Sequence, residues 1–185
     1  MLAPAQAIPS PTLLTGAVSC LGAADAAGGR LVTSAAGYGA MAINSTNDQL
    51  LKLGQVMVPF QSSVCAELLS AEAIDADDWK HPAAPPAIAI LAKEHGAGSV
   101  LVPAVTTKQR CTRGVWVNGQ MVETGTAECR ESEITMTAYL FAADGTVLWK
   151  SLSHVAIGPL ERPDLASGAQ KLLGDAPIQS AVHIR

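Results

Sequence analysis

The stretch Glu133–Ile157, "EITMTAYLFAADGTVLWKSLSHVAI", decides the fold. Its halves, "EITMTAYLFA" and "TVLWKSLSHVAI", alternate at period two and are joined by Asp144-Gly145, a preferred hairpin turn. They form an antiparallel hairpin. Ile134, Met136, Ala138 and Leu140 share one face, and Thr135, Thr137, Tyr139 and Phe141 share the other. Apolar side chains on both faces imply partial burial of both, with helices packed on at least one.

A second hairpin lies just upstream. Val115-Trp116-Val117 and Gln120-Met121-Val122 surround Asn118-Gly119, the dipeptide favoured in two-residue turns. Cys111 and Cys129 flank this hairpin and are placed to meet at its base, where a disulfide would stabilise the fold by about 3 kcal/mol in the loop-entropy model. Two buried free thiols are the alternative. The four cysteines show no C-x-x-C spacing, which disfavours zinc and thioredoxin-type chemistry, and the pairing of Cys20 and Cys65 stays open.

Further out, "TLLTGAVS" and "RLVTSA" read as strands separated by a small-residue loop ending in Gly28-Gly29. The cluster Asn44-Ser45-Thr46-Asn47-Asp48 reads as a turn and cap opening a helix from about Asp48 to Ser70. On that pattern Leu50, Leu53, Met57, Phe60, Val64 and Leu68 recur on one face, and Pro59 would kink or split it. "KHPAAPP" suits a helix start, "AIAILAKEH" is a helix stopping at Gly96, and "SVLVPAVTTKQ" is a strand that Pro103 marks as an edge or bulge. The expected organisation is an arm or signal-peptide remnant over residues 1–11, followed by one α/β (α+β) domain over residues 12–185. That domain has three layers: a mixed, largely antiparallel sheet, flanking helices, and a hairpin insertion at about 110–131.

Composition bounds the function. The chain has 185 residues, enough for a buried core, and is 49% apolar but only 4% aromatic, so Ala, Val, Leu and Ile must fill that core. The net charge of −4 and the scattered Lys and Arg residues offer no stripe for nucleic acid. No apolar run is long enough to span a bilayer as a helix. Ala5-Gln6-Ala7 before Ile8-Pro9 has the form of a signal-peptidase site, without the charged and apolar regions that normally precede one. A disordered Ala/Pro-rich end is the other reading. Cys20 in "TGAVSC" is a candidate for lipidation, although Ala17 stands where a lipobox has Leu or Val.

Several site patterns fail on spacing. Gly37-Tyr38-Gly39-Ala40-Met41-Ala42 has G-x-G-x-x-A form, but "INSTND" follows it and no carboxylate stands about twenty residues on, so a glycine strand end is expected in place of a dinucleotide loop. His81, His95, His154 and His183 are dispersed, and Asp75, Asp77 and Asp78 lack the rest of a calcium loop. No nucleophile elbow or phosphate loop is present. The residues therefore suggest no catalytic group, cofactor or metal.

Taken in order, "VSCLGA", "GQVMVPFQSSVCAELL", "ILAKEHGAGSVLVPAV", "ITMTAYLFAADGTVLWKS" and "APIQSAVHIR" resemble the soluble domain of the curli-export lipoprotein family (CsgG-like). That group includes holdfast-anchor lipoproteins and is similar in fold to the amino-terminal domain of TolB. The resemblance covers the chain from about Leu14 onward and rests on the order of the elements. It implies a three-layer domain exported to the periplasm or cell surface, often oligomeric, acting in assembly or secretion without catalytic residues. On this view "AAGYGAMAIN" is the end of a central strand and its loop. Three features depart from the family: "VWVNGQMV" stands in place of two longer pore-forming hairpins, "AIDADDW" replaces an arginine-containing signature, and no carboxy-terminal helix follows "VHIR".

The function expected from these readings is non-enzymatic, through contacts with other envelope proteins or a homo-oligomer. Trp116, Val117, Asn118, Gly119 and Met121 form the candidate contact surface. Trp116 capping the domain's own core is the alternative for that residue. The rival functions are a small-ligand or enzyme site in a cleft near Gly37 and Asp75–Asp78, or a structural subunit of a surface filament or layer.

Overall fold

In the computed structural model, which describes residues 8–21, 30–31, 37–53, 57–58, 86–158 and 162–178, Glu133–Ile157 forms the hairpin its alternation requires. The strands are β1 (Thr12–Thr15), β2 (Val18–Leu21), β3 (Arg30–Leu31), β4 (Met57–Val58), β5 (Ser99–Val117), β6 (Gln120–Ala142) and β7 (Val147–Ala156). The helices are α1 (Tyr38–Lys52), α2 (Pro86–His95) and α3 (Leu165–Leu173). The fold is α+β.

The long strands β5 and β6 form the spine of one mixed sheet, ordered β3-β6-β5-β1-β4, with β2 also on β5 and β7 also on β6. β5–β6 and β6–β7 are antiparallel, whereas β1, β2 and β4 join by parallel pairing, as does β3 on β6. At the β6–β7 turn, Gly145 takes φ 90° and the Thr146 N–H donates to Asp144 Oδ1. Hydrogen bonds from Thr146 hold the Asp144 carboxyl below the usual carboxylate range.

From Ile134 onward both faces of β6 are largely buried, and helices cover both. Ile134, Met136, Ala138 and Leu140 meet Ala42 and Leu50 of α1 and Leu165, Ala169 and Leu172 of α3. On the opposite face Tyr139 and Phe141 pack with Val100 and Val102 of β5 and Ile88 and Ala92 of α2. Three layers result. Pro86 begins α2, and Gly96 ends it with φ 61°, as the sequence indicates.

Three local expectations are corrected. First, the helix expected from Asp48 to Ser70 begins at Tyr38, and Met57 lies in β4; Phe60, Val64 and Leu68 fall outside the described residues. The buried face of α1 is Gly39, Ala42, Thr46 and Leu50, mostly small residues. Its polar members find partners: the Thr46 hydroxyl donates to the Ala42 carbonyl at 2.8 Å, and Asn47 Oδ1 accepts from the Ala17 N–H at 2.8 Å. Second, Pro103 sits on a central strand, not an edge. Its β6 partner is Ala138, and on the other side pairing passes from Leu14↔Leu101 to Val18↔Ala104, so the break at Gly16-Ala17 falls beside the residue with no N–H to give. Third, Pro9 and Pro11, expected in a free arm, are tied in. Ser99 Oγ donates to the Pro9 carbonyl, and the Gly98 N–H donates to that of Pro11.

The helix α3 starts at Asp164, whose Oδ1 accepts from the Ser167 N–H at 3.0 Å. Asp164→Ala is expected to lower the unfolding free energy by about 1 kcal/mol, and Asp164→Asn by less. Equilibrium urea unfolding of the two variants measures the difference.

Candidate functional site

The sheet narrows to a ribbon. Among the described residues the last rung of β2 on β5 is Leu21↔Thr107, beyond which β5 and β6 continue together to Val117↔Gln120, with β3 joining at Glu128 and Cys129. The expected insertion is thus an extension of the two central strands. At its end Asn118 and Gly119 both have positive φ, 51° and 81°, the geometry of the turn their sequence suggests. Register shifts occur at Lys108/Gln109 and Thr112/Gly114.

Three apolar side chains stand in water at the tip: Val117 is 48% exposed, Met121 54% and Val122 49%. The other exposed large apolar residues among those described are Met41, Leu51 and Leu53 on or just after α1, Ile90 on α2 and Leu152 on β7. Asn118 and Gly119 are exposed between Val117 and Met121. Trp116 is paired in register with Met121, and its side chain lies outside the described residues. Sequence reasoning missed Val122 and Gly114. A Cβ at Gly114 would stand 2.7 Å from the Val122 carbonyl oxygen and 3.1 Å from Met121 Cγ, so the glycine gives Met121 room to lie along the ribbon. A glycine inside a strand pattern was the available signal.

From Lys108 to Val117 the β5 arm matches the roughly nine to eleven residues of a membrane-crossing strand. Its residues do not match one. Lys108 and Arg110 fall at alternate positions with Thr112, while Arg113 belongs to the stretch that also holds Gln109 and Cys111, so no continuous apolar face forms before Val115. Among the described residues no helix is long and apolar enough to cross a membrane.

The register sets Cys111 directly opposite Cys129. Cys20 lies on β2, paired with Thr106. Cleavage immediately before Cys20, which lipid attachment requires, would remove β1 and with it the buried Leu13 and Leu14. Cys65 falls outside the described residues.

The glycine loop is corrected in part. Gly37, with φ 25°, precedes α1 directly, so Tyr38–Asn44 of this stretch is helix and not a loop; Ala35 and Ala36 lie outside the described residues. Glu131 Oε1 lies 3.6 Å from where a Cβ of Gly39 would be, which sets a carboxylate beside the first turn of α1. That negative charge complements the helix dipole and opposes a phosphate there. Asp75, Asp77, Asp78, His81 and His183 lie outside the described residues. His154 is exposed, with Nδ1 3.6 Å from Glu133 Oε1. Among the described residues no three His, Cys, Asp or Glu side chains cluster to hold a metal.

No family model matches the sequence, and no curated protein does. Among solved structures the chain is similar to lipoprotein GNA1162 from Neisseria meningitidis, at 16% identity and a TM-score of 0.36 over 84% of this chain and 88% of that one. It is similar to a PelC dodecamer from Paraburkholderia phytofirmans, at 16% identity and a TM-score of 0.34 over 96% and 94%. It is also similar to the LpoB C-terminal domain from Salmonella enterica, at 13% identity and a TM-score of 0.31 over 78% and 86%. The curli-export family is not confirmed by these matches.

Proposed function

We propose that this chain is a non-enzymatic protein-binding domain of the cell envelope that captures its partner at the tip of the β5–β6 ribbon. The observation that carries the reading is the group Val117, Met121 and Val122, each about half exposed at the end of a ribbon extending past the sheet. An apolar group in water at a protruding tip loses hydration on contact with a partner, and an aromatic at its centre suits a hot spot. Trp116, whose backbone pairs with that of Met121, is the aromatic this reading assigns to the contact. Export is supported by Ala5-Gln6-Ala7 before Ile8-Pro9. The cleft reading near Gly37 is the weaker one, because the Glu131 carboxylate stands beside the first turn of α1, where it opposes an anionic ligand.

Photocrosslinking in the native host tests this. A photoreactive residue at Val117 or at Met121 is expected to give the same heterologous adduct, and one at the equally exposed Ile90 of α2 is expected to give none. Trp116→Ala is expected to weaken capture at least about tenfold, as truncation of an interface aromatic does. Its melting temperature should stay near that of the parent. Equal loss of capture and stability would instead assign Trp116 to the core.

A further inference from the structure

We propose that Cys111 and Cys129 close a disulfide across the root of the ribbon, and that its redox state sets whether the ribbon stays zipped. The backbone register carries the inference. Cys111 and Cys129 are direct Cα partners, on the rung between Arg110↔Arg130 and Thr112↔Glu128. Directly opposed residues of an antiparallel ladder share a face with Cα atoms about 4.5–5.5 Å apart, within the roughly 4.4–6.8 Å that a disulfide spans.

β3 pairs with β6 at Glu128 and Cys129, but the β5–β6 ladder on either side of this rung is weak. The neighbouring rung sets two arginines opposite each other, which is unfavourable. Register shifts lie on both sides, at Lys108/Gln109 and at Thr112/Gly114. Farther out among the described residues only two strands remain, and an isolated two-stranded ribbon is marginally stable in water. Polar residues occupy both faces of this root, so burial does little to fix its register. A covalent tie at Cys111–Cys129 fixes it within the short run of rungs between the two register shifts.

The step is thiol–disulfide exchange with a disulfide oxidant. One cysteine thiolate attacks a sulfur of the oxidant and expels its first thiol; the second thiolate then attacks the mixed disulfide and expels the other. Two protein thiols are oxidised to one S–S bond, the oxidant is reduced to two thiols, and these take up the two protons. Control of partner capture by this bond rests on the proposed tip-binding function, whereas the bond itself does not.

The test uses the full chain, treated with oxidised glutathione, blocked with iodoacetamide and digested with trypsin without reduction. Cleavage after Arg110, Arg113 and Arg130 separates the two cysteines, so the expected product is peptide 111–113 joined to peptide 114–130, two hydrogens lighter than the free pair. Both cysteines found singly blocked, or either joined to Cys20 or Cys65, overturns the proposal. In the folded protein, reduction is expected to raise the rate of cleavage after Arg113 about tenfold, as the open ribbon becomes more populated. The Cys111→Ser, Cys129→Ser variant should match the reduced rate under both conditions. An unchanged rate beside a joined peptide overturns the control of zipping. Loss of the Val117 adduct on reduction extends that control to partner capture, whereas no adduct in either redox state is a failure of the tip-binding function alone.

Discussion

Replacing Phe141 with alanine is expected to lower the unfolding free energy by about 3–5 kcal/mol, the range found for buried phenylalanine. Phe141 is fully buried between β5 and α2, where Leu13, Val18, Ile88 and Val100 belong to its cluster. Its ring stacks on that of Tyr139, with centroids 5.7 Å apart and planes 20° from parallel. Such offset pairs add about 0.5–1.5 kcal/mol beyond burial. Among the described residues Tyr139 is the only other ring in this cluster, and it already occupies its own place beside Phe141. The residues around it are mostly alanine and β-branched side chains held on paired strands, which cannot swing inward. A chain of this size loses roughly 2–4 °C in Tm per kcal/mol, so thermal unfolding should shift by about 6–20 °C. Guanidinium titration followed by tryptophan fluorescence measures the free energy directly. A loss below about 1 kcal/mol would mean that α2 does not seal this face, and the three-layer arrangement would fail with it.

The elements legible in the sequence are those in which local chemistry and tertiary packing agree. Asn118-Gly119 and Asp144-Gly145 supply positive-φ turn residues where both hairpins close, and the alternation from Ile134 to Phe141 separates the two cores face by face. Helix α2 has its proline at the start and its glycine at the stop. Helix α1 was hidden because it buries Gly39, Ala42 and Thr46, residues that an apolar count passes over. Its Asn44–Asn47 segment resembles a cap cluster until Ala17 and the Ala42 carbonyl supply tertiary and local partners. Pro103 misled for a related reason, since its missing donor matters only if the neighbouring strand needs one, and here that strand breaks.

For the candidate site, the tip and the cysteine rung could be read from one dipeptide and two flanking residues. The continuity of the ribbon could not. Its arms between Lys108 and Gly114, and between Glu123 and Ser132, are polar on both faces and carry no period-two hydrophobic signal. The helix α3 was open to recognition: Asp164 caps it, and Leu165, Ala169, Leu172 and Leu173 recur at helical spacing.

Gly168→Val is expected to cost about 3 kcal/mol, because α3 rests on the sheet at a residue with no side chain. A Cβ there would collide with Met136 Cε and stand 2.9 Å from Val155 Cγ2. Met136 Cε ends a flexible chain and can move; Val155 is β-branched on β7 and has little freedom. Gly168→Ala sets a propensity gain of about 1 kcal/mol against the same contacts and should come out mildly destabilising. Adding Val155→Ala should make the Gly168→Ala change less costly than it is in the parent, a coupling that a double-mutant cycle with urea unfolding reads. Unchanged stability in Gly168→Val would place α3 too far from β6 and β7 to seat the core. The consequence reaches the ribbon. Met136 pairs with Val105 on the same continuous strands that carry Cys129 and Cys111. A helix that holds β6 in place over Met136 therefore helps hold the register that brings the two cysteines to one rung. A one-residue slip of β6 along β5 would move every side chain to the opposite face and part the pair. Gly168→Val should thus lower the yield of the Cys111–Cys129 cross-link along with stability, and Phe141→Ala, which empties the other face without pressing on Met136, should spare it.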